Sequence, residues 1–239
     1  MAWSSTSPIT HAGSTERIEA FITGLCAVSA DEYVTTVADA AGLAAYGLDA
    51  PRRLIAAFQD GTIRNIHLGS DAGDGMVYAR MDRTGDIYRI RRTQLTFAES
   101  AGLNTLLDRF VSPVVVATLS QVRVITADGE TTLRIEFENG DDNIGQRWFW
   151  DENAVTRDEF TDAYLSIIAL QFDQTAPQEA AGTSLLADVT FTLRDGSTST
   201  VRYEACDAFY ALVTTDGGGR FLVRLTDVEN MLTVLKGEK

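Results

Sequence analysis

The chain has 239 residues, of which 45% are hydrophobic and 23% charged, and its net charge is −14. This composition is typical of a packed globular protein, and the length allows one large domain or two ordinary ones. Such an acidic surface repels nucleic acid phosphates and anionic lipid headgroups, so we expect neither as a partner. No run approaches the ~20 apolar residues that span a bilayer, and the polar N-terminus lacks the features of a signal peptide.

The first half of the chain predicts a helix, a four-stranded meander and a closing helix. The stretch TERIEAFITGLCAV places five apolar residues at helical spacing: Ile18, Phe21, Ile22, Leu25 and Val28. A weaker helix is predicted over residues 31–40. RLIAAF then alternates as a strand, Asp60-Gly61 forms a hairpin turn, and TIRNIHL, MVYARM and DIYRI supply three more strands. The closing helix is predicted over residues 97–110.

The second half repeats this order after an extra hairpin. QVRVIT, an Asp128-Gly129 turn, TLRIEFE and RWFW predict the additional strands. Thr156 and Glu159 have the spacing of a capping box, in which the two side chains satisfy amides at the start of a helix. The buried stripe of that helix is predicted at Phe160, Tyr164, Ile167 and Leu170. A meander with an Asp195-Gly196 turn follows, and a helix over residues 228–235 closes the chain.

The two halves match in detail, because FQDGT aligns with LRDGS and VYAR aligns with FYAL. We therefore predict an α+β fold of two similar modules, residues 1–112 and 113–239, that arose by internal duplication. Each module is predicted to be an antiparallel meander packed with helices on one face. Trp3 stands where Trp148 or Trp150 stands in the second copy, so the hypothesis is that the chain begins inside its first module.

Few residues favour catalysis or metal binding. Histidine occurs only as His11 and His67, which have no partner at ligand spacing, so neither a zinc site nor a Ser-His-Asp arrangement is indicated. The glycines 217–219 stand between two strands instead of before a helix, which predicts a hairpin loop and not a phosphate loop. The many carboxylates always offer some pair for acid–base work, but the sequence alone gives no geometry for one. We predict no enzyme, no cofactor and no metal.

Two acidic loops and two cysteines have a structural and a functional interpretation. The loops contain Asp71 with Asp74, and Glu138 with Asp141 and Asp142. Carboxylates bind calcium, but neither loop has the spacing of a calcium-binding motif, so solvated turns are favoured. Cys26 and Cys206 are predicted to be small buried hydrophobic residues, with a long-range disulfide as the alternative.

Positive charge concentrates in the first module, where alternation places several arginines on one sheet face. These arginines are Arg52, Arg53, Arg80, Arg83, Arg89, Arg91 and Arg92. A face salt-bridged to neighbouring carboxylates is the favoured interpretation. The candidate interaction face, if one exists, comprises Arg53, Arg80, Arg89, Arg91, Tyr78 and Tyr88, since arginine and tyrosine are common interface anchors. The candidate aromatic residues for a cleft between the modules are Trp148, Phe149 and Trp150.

A short stretch of the first module resembles a known family. Tyr46-Gly47-Leu48-Asp49-Ala50-Pro51, an alternating strand, Asp60-Gly61, IHLG and VYAR follow one another over residues 46–80, as in the domain-of-unknown-function 4340 family. The resemblance implies a bacterial envelope protein with an N-terminal membrane anchor and extracytoplasmic domains, in some members linked with ABC-type transport. It implies no catalytic residues. By the chemistry of the residues, Gly47 favours a left-handed helix end and Pro51 favours the start of a strand.

Three functions are compatible with these observations. The first is a non-enzymatic, extracytoplasmic interaction module of a membrane-anchored protein, with a protein partner at the membrane and a role as an accessory to an ABC-type transporter. The second is a small-molecule or glycan-binding protein that uses the cleft between the modules. The third is a hydrolase with paired carboxylates, which requires two acids converging in one pocket with perturbed pKa values.

Overall fold

The computed structural model describes residues 3–37, 39–81, 85–137 and 145–237. The strands in chain order are β1 (Trp3–Ser5), β2 (His11–Gly13), β3 (Glu32–Thr36), β4 (Arg52–Ala57), β5 (Ile63–Gly73), β6 (Met76–Met81), β7 (Asp86–Arg91), β8 (Leu119–Thr126), β9 (Gly129–Phe137), β10 (Gln146–Trp150), β11 (Asn153–Val155), β12 (Phe172–Thr175), β13 (Ser184–Leu193), β14 (Thr198–Ala205), β15 (Tyr210–Thr215) and β16 (Arg220–Arg224). The helices are α1 (Thr15–Ala27), α2 (Ala40–Ala44), α3 (Thr96–Glu99), α4 (Leu103–Leu106), α5 (Arg157–Ile168) and α6 (Leu225–Leu235). The fold is therefore a mixture of helices and antiparallel sheets, as predicted.

The chain divides into two compact units. The N-terminal unit is Ser14–Leu106, and the C-terminal unit consists of the described residues of Ala2–Gly13 and Leu107–Lys239. This division differs from the predicted boundary between residues 112 and 113. The β1–β2 hairpin and the segment from 107 to 112 belong to the C-terminal unit, where Gly13 and Leu107 form an isolated β-bridge.

The N-terminal unit is built on a five-stranded antiparallel sheet in the order β3-β7-β6-β5-β4. The predicted meander is confirmed, and the Asp60-Gly61 turn joins β4 to β5 with Gly61 at a φ of 83°. One sheet face packs against α1 and the helical turns after β7. Its core contains Leu25, Val28, Leu54, Ile66, Val77, Ala79, Ile90, Leu95 and Ala98.

The segment that carries the family signature lies close to β5. Gly47 ends the turn after α2 with a φ of 66°, the left-handed conformation that its sequence predicts. The Ser70 amide donates to the Tyr46 carbonyl over 2.8 Å, and a Cβ on Gly69 would lie 2.2 Å from that carbonyl oxygen. The rings of Tyr46 and Tyr78 meet edge to face at 4.9 Å. The signature residues therefore fix a close backbone contact, a role in folding.

The C-terminal unit is built on a nine-stranded antiparallel sheet in the order β11-β10-β9-β8-β13-β14-β15-β16-β12. The predicted extra hairpin is β8 and β9, extended by β10 and β11. The predicted glycine hairpin joins β15 to β16, with Gly218 at a φ of 80°. α5 begins with the predicted capping box, since the Thr156 hydroxyl accepts from the Glu159 amide and the Glu159 carboxylate accepts from the Thr156 amide.

Two predicted helices are wrong. Within the predicted range 31–40, residues Glu32–Thr36 form the edge strand β3 instead, because Tyr33, Thr35 and Thr36 are aromatic or β-branched and pair with β7. Residues 97–110 form two short helices, α3 and α4, separated by Ser100, Ala101 and Gly102. The Thr105 hydroxyl accepts from the Gly102 amide and so stabilises the start of the second one.

Candidate functional site

A recess lies in the C-terminal unit, beside helix α5. Its volume is about 510 Å³, and we call it the α5 groove. One wall is the face of α5 that bears Thr161, Leu165 and Ile168, and the other is formed by residues of the segment 110–116, with Trp148 of β10 also lining it. Arg157 is the only charged side chain among the described lining residues. The groove is thus an apolar surface with a single cation.

The apolar side chains of the α5 groove are unusually exposed. Val115 has 63% and Leu165 47% of its surface accessible, and Phe110 and Val116 are also exposed. Most of the large hydrophobic residues that this unit exposes therefore lie around one recess. Contiguous exposed apolar surface of this kind marks binding sites in folded proteins.

One side-chain hydrogen bond and one aromatic contact hold α5 in place beside the other wall of the groove. The buried Tyr164 hydroxyl of α5 donates to the Val114 carbonyl over 2.6 Å, and desolvation raises the pKa of this phenol well above its usual range, so it stays a donor. Phe160, one turn earlier on α5, contacts Trp148 with ring centroids 4.8 Å apart. The capping box and these two contacts fix α5 against the sheet.

Tyr164→Phe is expected to lower the free energy of unfolding of the C-terminal unit by about 1–2 kcal/mol, because the Val114 carbonyl loses its donor while the ring remains in place. Intrinsic fluorescence during urea unfolding reports this unit, since Trp3, Trp148 and Trp150 all belong to it. A change below the error of the extrapolation would show that the bond does not stabilise the groove.

The three candidate cleft aromatics do not form one cluster. Trp148 and Trp150 share one face of β10, opposite Ile135 and Leu133, while Phe149 points to the other face. There the Arg134 guanidinium lies over the Phe149 ring at 4.3 Å. Only Trp148 lines the α5 groove. Sequence reasoning missed Val115 and Leu165, although the apolar run PVVVA and a leucine outside the buried stripe of α5 are visible signals.

Five of the six residues of the candidate interaction face share one face of the N-terminal sheet. The register pairs Arg53 with His67, His67 with Arg80, and Tyr78 with Arg89, and it places Arg91 on the same side. Tyr88 pairs with Ala79 and therefore lies on the opposite, helix-covered face. Arg83 lies outside the described residues.

Part of this face is salt-bridged, as the favoured interpretation predicts. Arg89 contacts Glu32 at 2.7 Å, and Arg91 contacts Asp31 at 3.2 Å. The first acidic loop is engaged too, since Arg92 contacts Asp71 at 2.6 Å and Arg89 contacts Asp74 at 3.5 Å. The second acidic loop, with Glu138, Asp141 and Asp142, lies outside the described residues. Exposed pairs of this kind contribute little stability.

His67 lies between two of the arginines and is almost fully buried, with 8% of its surface accessible. Its burial, and then the charges of Arg80 and Arg53, lower the pKa of the imidazole below its usual 6.5. The Arg80 guanidinium donates to His67 Nδ1 over 3.2 Å. A guanidinium can only donate, so His67 is neutral here and carries its proton on Nε2.

We expect the N-terminal unit to lose stability as the pH falls below about 6.5. The folded imidazole has the lower pKa, so the unfolded chain binds the proton more readily and acid favours unfolding between pH 6.5 and the folded pKa. Above pH 6.5 both states are neutral and the contribution is constant. Thermal unfolding from pH 5 to 8 checks this, with His67→Gln as the comparison. An unchanged pH slope in that variant would contradict the assignment.

The described residues contain no group of three or more His, Cys, Asp or Glu side chains that could hold a metal ion. Among the described carboxyl groups, every resolved shift lowers the pKa, as hydrogen bonds do for Asp60 and Asp195.

The prediction of two buried cysteines is wrong, because Cys26 is exposed and Cys206 half-buried, and both are free. Cys26 lies one residue beyond the buried Leu25, outside the apolar stripe of α1.

No helix among the described residues has the length and apolarity needed to cross a membrane.

Comparison with curated proteins gives no significant match, and neither does comparison with solved structures. A family model does match, over residues 3–188, and its description is "Domain of unknown function (DUF4340)". The match includes the signature stretch of the N-terminal unit. It also includes β10, which carries Trp148, and helix α5 of the C-terminal unit. The chain therefore belongs to the DUF4340 family.

Proposed function

We propose that the chain is a non-enzymatic, extracytoplasmic interaction module of a membrane-anchored bacterial protein, and that the α5 groove binds a protein partner. The groove itself carries this proposal: about 510 Å³ of apolar recess with Val115 and Leu165 exposed at its rim. An apolar surface of this kind that is exposed in the isolated chain usually becomes buried in a complex.

The chemistry of the lining favours a protein segment as the occupant. Sites for small molecules usually enclose most of the ligand and offer several polar groups that fix its orientation. In the α5 groove the wall residues are mostly aliphatic and aromatic, and the Leu165 side chain is exposed to solvent. A helix beside an apolar channel suits an amphipathic segment with apolar residues one helical turn apart. Arg157 complements an acidic residue at one end of that segment.

The envelope location and the role as an accessory to an ABC-type transporter are supported by the family resemblance of residues 46–80. A small-molecule or glycan site in a cleft between the modules stays an alternative prediction. Binding of a small apolar molecule in the α5 groove would be a variant of that alternative, and the experiments distinguish it.

Comparative affinity capture tests the proposal. The tagged full-length protein is recovered from detergent-solubilised membranes as wild type, as Leu165→Asp and as Phe209→Asp, and its partners are quantified by mass spectrometry. Phe209 is a matched control because it is 76% exposed in the same unit and lies outside the groove. We expect one partner to be depleted at least tenfold by Leu165→Asp and retained by Phe209→Asp. If all three forms recover the same proteins, the groove is not the contact surface.

We also propose that the two units are duplicated copies. In each, a strand precedes a four-stranded meander and pairs with its last strand, giving β3-β7-β6-β5-β4 and β12-β16-β15-β14-β13. A helix comes before this strand in both units, and an Asp-Gly turn joins the first two strands of both meanders. Superposition of residues 53–91 on residues 187–225 tests the relation, since equivalent strands must align with those turns in register.

A further inference from the structure

A row of three nitrogen-rich side chains crosses the N-terminal sheet. Arg53 on β4 stands opposite His67 on β5, and His67 stands opposite Arg80 on β6. Neighbouring strands lie about 4.8 Å apart, so residues in register across three strands contact one another. We call these residues the β4–β6 row.

The β4–β6 row offers donors for which the described residues provide no acceptor. Because His67 Nδ1 accepts from Arg80, its Nε2 carries a hydrogen. Both His67 Nε2 and Arg80 Nε are buried, and neither has a hydrogen-bond partner within the described chain. A buried donor without a partner destabilises the folded state. The row is therefore incomplete as a purely structural network.

The row also lacks the carboxylates that neutralise its neighbours. Arg89, Arg91 and Arg92 each contact an acidic side chain. Within the described residues, Arg53 and Arg80 contact none within 4 Å, although the chain as a whole has a charge of −14. Arg53 is exposed and Arg80 half-buried, so the row lies at the surface of the N-terminal unit.

We propose that the β4–β6 row binds a phosphate group, either free or as a monoester on a larger ligand. Two guanidinium groups and an imidazole N–H supply donors and positive charge, which a tetrahedral oxyanion accepts through several oxygens. The Asn65 Oδ1 atom, two residues before His67 on β5, is a buried acceptor with no partner among the described residues. Inorganic phosphate also carries an O–H at neutral pH that donates to this amide oxygen, which sulfate lacks.

Nuclear magnetic resonance of the two imidazoles tests this site on the full chain. Inorganic phosphate is titrated at pH 7, and His11, in the other unit, is the internal reference. We expect saturable shifts of the His67 ring signals, weaker shifts with sulfate and none for His11. Arg53→Gln is expected to weaken phosphate binding about tenfold, since it removes one charge-assisted hydrogen bond to the anion. The exposed Arg147→Gln in the C-terminal unit serves as the matched control.

Two further probes distinguish a soluble phosphate ligand from a lipid headgroup. Phenyl phosphate represents a soluble monoester, and vesicles that contain phosphatidic acid represent a lipid headgroup. Binding by all three probes assigns the site to the shared phosphate chemistry, whereas binding by only one probe assigns it to that source. The absence of any saturable His67 shift at tens of millimolar phosphate would overturn the proposal, as would equal affinity in Arg53→Gln. Arg53 is exposed, so its replacement leaves the fold intact.

Discussion

Phe172→Ala is expected to lower the free energy of unfolding of the C-terminal unit by about 3–5 kcal/mol. Phe172 is fully buried at the start of β12, and its ring stacks on Phe221 with centroids 4.5 Å apart. The His11 ring, from β2, contacts both phenyl rings. Removal of Phe172 therefore leaves a cavity at the point where the edge strand, the β16 strand and the β1–β2 hairpin meet.

Urea unfolding followed by tryptophan fluorescence measures this loss. Phe209→Ala is the matched control, because its ring is largely exposed and its truncation is expected to change the stability by less than about 0.5 kcal/mol. The β1–β2 hairpin should also exchange its amide hydrogens faster in Phe172→Ala, since His11 loses a packing partner. Equal stabilities of the two variants would contradict the packing described for β12.

Gly69→Ala is expected to destabilise the N-terminal unit by about 2–3 kcal/mol, at the upper end of overpacking effects. The added Cβ would lie 2.2 Å from the Tyr46 carbonyl oxygen and 3.0 Å from the Leu48 side chain. A backbone carbonyl cannot move aside as a flexible side chain does. The loop that ends α2 must therefore shift, which breaks the hydrogen bond from the Ser70 amide to Tyr46.

A fluorophore on the exposed Cys26 of α1, in a Cys206→Ser background, reports unfolding of this unit. Gly102→Ala is the matched control within the same unit, because the nearest atom to its added Cβ is 4.0 Å away. We expect that control to change the stability by less than about 1 kcal/mol. A loss in Gly69→Ala no larger than in Gly102→Ala would contradict the contact between the signature loop and β5.

The features of the fold that could be predicted from the sequence are those that depend on a few adjacent residues. The stripe of α1, the Asp-Gly turns, the capping box at Thr156 and the left-handed Gly47 each follow from a few adjacent residues, and the structure confirms them. The segment 31–40 was different. Its β-branched residues form a strand only because β7 offers an unpaired edge, which is a contact distant in sequence.

The α5 groove was harder to predict than the fold, because it depends on which apolar side chains stay exposed after the chain has folded. Val115 and Leu165 look like core residues in the sequence, and only the packing of α5 against the segment 110–116 leaves them at the surface. Alternation correctly placed Arg53 and Arg80 on one sheet face. The burial of His67 between them needed the register of three strands.

Site-specific photo-crosslinking tests directly whether the α5 groove contacts a protein partner. A photoreactive phenylalanine derivative replaces Leu165 in the full-length protein in its native cells, and the same derivative replaces Phe209 as the control. We predict a discrete adduct with one other protein from position 165, lost when Val115→Asp is added, and no such adduct from position 209. Adducts at position 165 with lipid only, with a second copy of the chain only, or with the same proteins as position 209 would contradict this prediction.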